Sequence, residues 1–350
     1  MQAEYSACLF MDNDFKITGM NQMKAMVLRR VGTPLVPTVM DMPVPGDSQV
    51  LLKVIACGIC RTDLHIVDGE LAHPKLPLIP GHEIIGMVIQ VGKSVRSFAV
   101  GDIVGVPWLA YTCNECRYCK RHQENLCIHA MFTGYTMNGG YAEYTVAYEQ
   151  YCFHMPAMYA NGSGAPLLCA GFIGFRAWNM IRDNAENIGI YGFGAAAHIL
   201  TQIAVFKKKN IYAFTKPGDI LSQMFALDNG AKWAGDSTGK APVQLDAAII
   251  FATDGALIPL ALLNLDKGGQ LICGGIHMSN IPSFPYSHLW EERAIQSVAN
   301  LTRQDGELLL QVAPQVPVKT TVQLYKLEEA NEALSDLRSG KINGAAVLVL

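Results

Sequence analysis

The sequence has few charged residues, no surplus of basic residues and no long apolar segment. Charged side chains make up 16% of its 350 residues and the formal net charge is −3, whereas nucleic-acid-binding proteins normally carry a basic surplus. The longest apolar runs, at 247–252 and 345–350, are much shorter than the roughly 20 residues that a membrane-spanning helix needs. We therefore expect neither a nucleic-acid partner nor a place in a membrane.

A secretory signal is also absent from residues 1–22, which contain acidic side chains and no continuous apolar stretch. We interpret this segment as an N-terminal extension, while an alternative start or a loosely held arm stays open. We expect a cytoplasmic protein, in which a disulfide framework is disfavoured. The ten cysteines are therefore better explained by metal binding than by disulfides, while redox chemistry and core packing stay open for them.

The length and the pattern of the chain predict two domains of the α/β class. Proteins use roughly 150 residues per domain, and half of this chain is hydrophobic, which excludes a disordered protein. Residues 50–151 contain β-branched runs bounded by Gly, Pro or Asp, which predict a barrel-like, β-rich module with long loops. Between 171 and 299, strand-like and helix-like runs alternate, which predicts a parallel sheet covered by helices.

The last segment of the chain, 301–350, shows one amphipathic helix and a final strand. A short tail of this kind often returns to complete the first domain. We therefore predict an interrupted first domain, formed by residues 23–170 and 300–350, with the second domain, 171–299, inserted into it.

A cluster of four cysteines predicts a closed metal site within the segment 108–130, which we call the four-cysteine lobe. Four thiolates suit one tetrahedral Zn²⁺, and short spacings let backbone turns present neighbouring sulfurs to the same ion. Because four protein ligands leave no open position, this site would be structural. An iron–sulfur cluster is the alternative, since the spacing partly resembles some cluster motifs. The pattern is C-x2-C-x2-C-x7-C, formed by Cys113, Cys116, Cys119 and Cys127.

A second, open metal site is predicted from residues that lie far apart in the sequence. A catalytic zinc needs three protein ligands and one open position, and Cys60 and His82 are a suitable pair. Cys169 is the best-placed third ligand, because it lies where the β-rich part of the chain meets the α/β part. Glu83 would support the ligands or bind the metal transiently, and Asp63 would orient His82 by accepting its other N–H.

A glycine-rich turn after a strand-like run at 188–191 predicts a dinucleotide-binding loop. The run is followed by G-x-G-x-x-A and a helical segment. Gly192 allows the tight turn, Gly194 lets the backbone approach a pyrophosphate, and Ala197 keeps the helix close to the strand. The helix N-terminus adds N–H donors and a favourable dipole. We predict cofactor contacts from Gly192, Phe193, Gly194 and Ala195.

The end of the next strand bears on the choice between NAD and NADP. NAD enzymes usually place an acidic residue there to bind the ribose 2′-OH, but here Thr215 occupies the position and Lys216 follows it. A hydroxyl and a cation tolerate a 2′-phosphate better than a carboxylate would, which favours NADP slightly. Asp219 lies close enough in the sequence to keep NAD open.

Together these motifs resemble the zinc-dependent alcohol dehydrogenases of the medium-chain dehydrogenase/reductase family. The resemblance runs from about residue 23 to residue 350, with the motifs in the family's order and spacing. It implies a β-rich, GroES-like catalytic domain, a Rossmann-type cofactor domain, and hydride transfer between an alcohol and NAD or NADP. The segments that carry it are CGICRTDLHIVDGE, PGHEIIGMVIQVG, VGDIVGVPW, the four-cysteine lobe, GGYAEY and PLLCAG.

The resemblance also implies roles for the site residues. It implies two zinc ions per chain, the catalytic one held by Cys60, His82 and Cys169 and the structural one held by the four-cysteine lobe. Thr62 would connect the substrate hydroxyl to a proton relay that ends at His65, since a histidine can release a proton to water near neutral pH.

Further roles concern the cofactor, the substrate and the partners. Arg61 would lie near the cofactor pyrophosphate, and Trp108 would narrow the pocket and favour small primary alcohols. The chain departs from many relatives at Ile173, where they have a threonine near the nicotinamide, and at Ala345, where they have an arginine on the pyrophosphate. We expect a small alcohol or aldehyde as substrate and other copies of the chain as partners, in a homotetramer or dimer.

Two other functions stay open at this point. A polyol or cinnamyl-type alcohol dehydrogenase would share the fold and differ in its pocket residues. A zinc or redox sensor without enzymatic activity would keep the fold alone, but the intact open metal site, relay and dinucleotide loop argue against it.

Overall fold

The computed structural model of the protein describes residues 21–350. Almost all of the predicted N-terminal extension, with Cys8, lies outside the described residues. No helix within the described part is long and apolar enough to cross a membrane.

The first half of the described chain is dominated by β-strands, with a single α-helix. The elements are β1 (Gln22–Val27), β2 (Val36–Asp41), β3 (Gln49–Ile59), α1 (Arg61–Asp68), β4 (Glu83–Val91), β5 (Ile103–Val106), β6 (Leu109–Tyr111), β7 (Met131–Phe132), β8 (Tyr144–Tyr148) and β9 (Phe153–His154).

The central part alternates helices and strands, as predicted. Its elements are α2 (Ala170–Asn179), β10 (Asn187–Tyr191), α3 (Ala195–Phe206), β11 (Asn210–Thr215), α4 (Ile220–Asp228), β12 (Trp233–Asp236), β13 (Leu245–Ile250), α5 (Leu257–Asn264), β14 (Leu265–Cys273) and β15 (Ala294–Ser297). These six strands form one sheet in the order β12-β11-β10-β13-β14-β15. Every neighbouring pair in it is parallel, which confirms the predicted parallel sheet.

The C-terminal segment contains more structure than the sequence indicated. It forms α6 (Arg303–Val312), β16 (Val322–Lys326), α7 (Ala330–Arg338) and β17 (Ala345–Val349), so the prediction of one helix and one strand was wrong. Gly306 lies inside α6, where glycine normally weakens a helix. A Cβ at this position would lie 2.6 Å from the Phe153 ring, so the glycine permits close packing that local sequence does not reveal.

Strand β17 joins the C-terminal segment to the first half of the chain. It pairs with β3 antiparallel, within a seven-stranded sheet of order β16-β17-β3-β4-β5-β9 in which β8 also pairs with β3. Strand β4 begins at Glu83, directly after His82, and α1 directly follows β3. The ends of two central strands therefore bring two candidate ligand segments together.

Candidate active site

Helix α1 begins at the candidate ligand Cys60, and Asp63 fixes that beginning. The Asp63 Oδ2 atom accepts a hydrogen bond from the Cys60 backbone N–H at 2.9 Å. Its Oδ1 atom lies 3.4 Å from His82 Nδ1, and both side chains are fully buried. One carboxylate oxygen thus caps the helix, as acidic residues do at this place, and the other lies beside the His82 ring, while the orienting role of Asp63 stays a prediction.

The three predicted ligands converge, although they are far apart in the chain. The Cys60 Sγ atom lies 3.3 Å from His82 Nε2 and 3.9 Å from Cys169 Sγ. A tetrahedral zinc with ordinary bond lengths requires separations of about 3.6 Å between sulfur and nitrogen and about 3.8 Å between two sulfurs. The donor atoms and their spacing therefore fit Zn²⁺.

Glu83 is the fourth member of this cluster. Its carboxylate lies with the three ligand atoms inside a group whose members are all within 4.8 Å of one another. Burial raises the pKa of Glu83 to about 7. Gly58 of β3 makes room for it, because a Cβ there would lie 2.0 Å from Glu83 Oε2.

Thr62 and His65 lie three positions apart on α1, and therefore on the same face of the helix. Thr62 is buried. The Nδ1 atom of His65 is in close contact with Glu70 Oε2, and its Nε2 atom is buried without a partner among residues 21–350. The His65 ring also lies 5.3 Å from that of His277, which follows β14. Sequence reasoning missed both residues: Glu70 ends the segment CGICRTDLHIVDGE but was given no role, and His277 lies outside every motif.

An aromatic wall borders the cluster. The Trp108 ring meets the His82 ring edge-on, with 4.9 Å between centroids. The rings of Phe132 and Tyr135 stack on Trp108, with centroid distances of 5.2 Å and 5.5 Å. The structure therefore places Trp108 beside a candidate metal ligand, while the predicted contact with substrate stays a prediction.

The four cysteines of the four-cysteine lobe also come together. The sulfur atoms of Cys116 and Cys119 are 3.6 Å apart, those of Cys113 and Cys127 are 3.5 Å apart, and all four lie within 4.8 Å of one another. Backbone N–H groups point at these sulfurs, and they lower the pKa of Cys116 to about 6, chiefly through the Cys119 N–H. Four converging sulfurs at this spacing fit a closed zinc site.

The dinucleotide loop has the backbone that its glycines predict. Gly192 has a φ of 87°, a conformation that side-chain-bearing residues rarely adopt. Gly194 is the N-cap of α3, and nothing lies within 4 Å of where its Cβ would be. Phe193 is buried in the core, so only its backbone is available to a ligand, and Ala195 is the first residue of α3.

At the end of β11, the three residues considered for the choice between NAD and NADP have different environments. The Thr215 side chain is buried and its hydroxyl is 3.5 Å from Gly235 O, so the geometry gives no support to its predicted role in ribose binding. Lys216 is exposed. Asp219 accepts hydrogen bonds from Ser222 N at 3.0 Å and Ser222 Oγ at 2.7 Å, and thus serves as the N-cap of α4.

The remaining predicted positions differ in their exposure. Arg61 is exposed at the start of α1. Ile173 is half-buried and packs against the core of the six-stranded sheet. Ala345 is buried at the start of β17. The nine cysteines within the described residues are all free thiols.

Comparison with known proteins agrees with this arrangement. Residues 46–157 match the family model described as the alcohol dehydrogenase GroES-like domain. A Mycobacterium tuberculosis protein named "Probable alcohol dehydrogenase AdhA" is 42% identical over 94% of this chain and 97% of its own length. An alcohol dehydrogenase of Geobacillus stearothermophilus is 35% identical over 94% of this chain and 99% of its own length.

A solved structure shows the same fold. The alcohol dehydrogenase of the archaeon Aeropyrum pernix is 26% identical, with a TM-score of 0.83 over 93% of this chain and all of that one. The chain therefore belongs to the alcohol dehydrogenases of the medium-chain dehydrogenase/reductase family.

Proposed function

We propose that the protein is a zinc-dependent alcohol dehydrogenase that interconverts alcohols with aldehydes or ketones by hydride transfer to and from NAD(P). The observation that carries the proposal is the convergence of Cys60, His82 and Cys169 beside the Thr62–His65 face of α1. A bound zinc supplies a Lewis acid that lowers the pKa of an alcohol, and the nicotinamide exchanges the hydride.

The protein's own groups hold the site and move the proton. Asp63 keeps the His82 ring oriented so that Nε2 faces Cys60. The buried Thr62 hydroxyl both accepts and donates protons, so it passes the substrate proton toward His65. The unpartnered Nε2 atom of His65 is the receiving atom, and Nδ1, against the exposed Glu70, is the side from which the proton leaves to water.

The four-cysteine lobe holds a second zinc in this proposal. Its four sulfurs leave no open position, so its metal supports folding and not the reaction. The proposal thus predicts two zinc ions per chain with different ligand sets.

We also propose that the enzyme uses NADP as well as NAD, with a slight preference for NADP. Two features support this proposal: Lys216 is exposed after β11, and the nearby carboxylate of Asp219 is occupied as a helix cap. The test is the ratio of kcat/KM for the two cofactors. A strong preference for NAD would contradict the proposal.

The aromatic wall supports a preference for small primary alcohols. The Trp108 ring stacks on Phe132 and Tyr135 and limits the width of the substrate pocket beside His82. A panel of ethanol, longer alcohols, cinnamyl alcohol and polyols, measured in both directions, tests this preference. Higher kcat/KM with cinnamyl alcohol or a polyol would favour the second substrate class on the same fold.

The decisive experiment combines metal analysis with kinetics. Cys60→Ala is expected to abolish alcohol oxidation and to lower zinc from two ions per chain to one. Cys152→Ala is the matched control, because Cys152 is buried but belongs to neither cluster. Absence of turnover with every alcohol, aldehyde and cofactor would favour a zinc or redox sensor instead.

A further inference from the structure

We propose that His198 is a positioning residue that sets the affinity of the protein for its dinucleotide. It does so by orienting the backbone at Gly194, while its other ring nitrogen separately ties α3 to the segment 319–321. The inference rests on the proposed use of NAD(P).

His198 lies in the first turn of α3, four positions after the N-cap Gly194, and its side chain is completely buried. Its Nδ1–H group donates a hydrogen bond to Gly194 O at 3.2 Å. The same carbonyl accepts the His198 backbone N–H at 3.1 Å. Two donors from one residue therefore hold this carbonyl, where an ordinary helix would supply only the backbone donor.

The orientation of that carbonyl determines the direction of a neighbouring donor. Gly194 O and Ala195 N–H belong to the same planar trans peptide, so the N–H points opposite to the C=O. With the carbonyl held toward the helix interior, the Ala195 N–H points outward from the start of α3. That is the open space beside Gly194, where an anionic group is stabilised by helix N-terminal donors.

The other ring nitrogen of His198 faces the C-terminal segment. The Thr321 N–H lies 3.5 Å from Nε2, which must be unprotonated to accept it. Donation from Nδ1 and acceptance at Nε2 together specify one neutral tautomer. Burial lowers the pKa of His198, in agreement with a neutral ring.

Gln202, one turn further along α3, strengthens the same connection. Its Nε2 donates to Lys319 O at 2.9 Å, and its Oε1 accepts from Lys319 N at 2.9 Å. The segment 319–321 is otherwise attached to the β-rich half, since Thr320 Oγ1 bonds to Ser163 O and Thr321 O accepts from Ala345 N. The helix that begins at the dinucleotide loop is thus bonded directly to the other half of the molecule.

Two substitutions of His198 each keep one of the two hydrogen bonds made by its ring and remove the other. In His198→Asn the side-chain amide replaces Nδ1 and keeps the donor to Gly194 O, but it is too short to reach Thr321. In His198→Gln the amide reaches the position of Nε2 and accepts from Thr321, but leaves Gly194 O with its backbone donor alone. Thermal unfolding and circular dichroism establish that each variant is folded.

Binding of NADH and NADPH, followed by cofactor fluorescence in the zinc-loaded protein, is the main measurement. We expect His198→Gln to weaken binding about five-fold, the effect of one hydrogen bond of ordinary strength, and His198→Asn to bind like the wild type. Hydrogen exchange of the segment 319–321 without cofactor is expected to be faster in His198→Asn and unchanged in His198→Gln.

Equal affinity of the two variants, at any level, would overturn the inference, because it would make His198 a packing residue. If the wild type binds neither nucleotide, the proposed function fails and the inference fails with it. If the wild type binds normally and the variants do not differ, the inference alone fails.

Discussion

Gly58 shows how one missing side chain shapes the metal site. Its φ lies outside the left-handed region, so alanine suits the β3 backbone, but its methyl group would overlap the Glu83 carboxylate. We expect Gly58→Ala to displace Glu83 and to lower zinc affinity or kcat/KM about ten-fold, the lower end for residues that support metal ligands. Zinc titration and steady-state kinetics measure the two effects.

A double variant provides the control for that prediction. Glu83→Ala in the Gly58→Ala background removes the overlap, so the two substitutions together should cost less than the sum of the separate effects. Wild-type zinc affinity and kcat/KM in Gly58→Ala alone would show that the carboxylate has no role in the site.

Glu70 is the residue whose removal tests the outer end of the proton path. The hydrogen bond from His65 lowers the pKa of Glu70, so the carboxylate is negatively charged at neutral pH. We expect Glu70→Gln to reduce kcat several-fold in dilute buffer. A high concentration of imidazole buffer should restore kcat, because the buffer accepts the proton in place of the carboxylate.

Asp68 supplies the matched control for Glu70. It is also exposed and acidic, but it pairs with Arg338 at 2.7 Å and not with His65. Asp68→Asn should leave the dependence of kcat on buffer concentration unchanged. An equal dependence in both variants would argue against the exit of the proton past Glu70.

At the level of elements, the sequence predicted best where the functional residues are contiguous. The four-cysteine lobe and the loop at Gly192 are short, so spacing alone determined which groups meet. His277 was missed because it reaches His65 only through the packing of the two halves. Helix α6 was missed because Gly306 interrupts the helical sequence pattern. The glycine is needed for close packing on Phe153, which lies 153 positions earlier in the chain.

The four-cysteine lobe is connected to the segment that leaves the six-stranded sheet. Asn125 Nδ2 donates to Ala299 O at 2.7 Å, and Glu124 Oε1 accepts from Arg303 N at 2.7 Å. We expect Cys116→Ser to lose one zinc per chain and to speed hydrogen exchange across 299–303. Unchanged exchange there, with the zinc lost, would show that the lobe is an independent unit.

Asp305 of α6 connects this helix to α2, and both of its carboxylate oxygens accept hydrogen bonds. Its carboxylate accepts from Thr302 Oγ1 at 2.6 Å, from Arg176 Nη1 at 3.2 Å and from Asn179 Nδ2 at 2.9 Å. We expect Asp305→Ala to reduce the free energy of unfolding by about 3 kcal/mol, since it leaves the buried Thr302 hydroxyl and the half-buried Arg176 guanidinium without their charged acceptor. Urea denaturation measures the loss, and a change below ~1 kcal/mol would mean that the network behaves like a surface ion pair.

At the scale of the whole molecule, the two sheets meet through shared chain segments. Cys169, directly before α2, belongs to one connection between the halves, and the segment between β15 and α6 forms the other. A sequence pattern gives each half separately, but the cleft between them depends on how the halves pack. This is why the metal ligands were predicted while the tether from His198 to Thr321 was not.

The expected homo-oligomer has a candidate surface in β15. This strand lies at the edge of the six-stranded sheet, all four of its residues are exposed, and Trp290 before it is 59% exposed. Exposed edge strands offer backbone groups for pairing with another chain, and a two-fold axis would pair β15 with itself. We expect light scattering to show at least a dimer for the wild type, and Ile295→Lys to shift it toward smaller species because the substitution brings like charges together across the axis. Val44→Lys, at an 82% exposed position in the other half, should leave the assembly unchanged. A wild-type monomer, or a dimer that Ile295→Lys does not weaken, would exclude this edge as the interface.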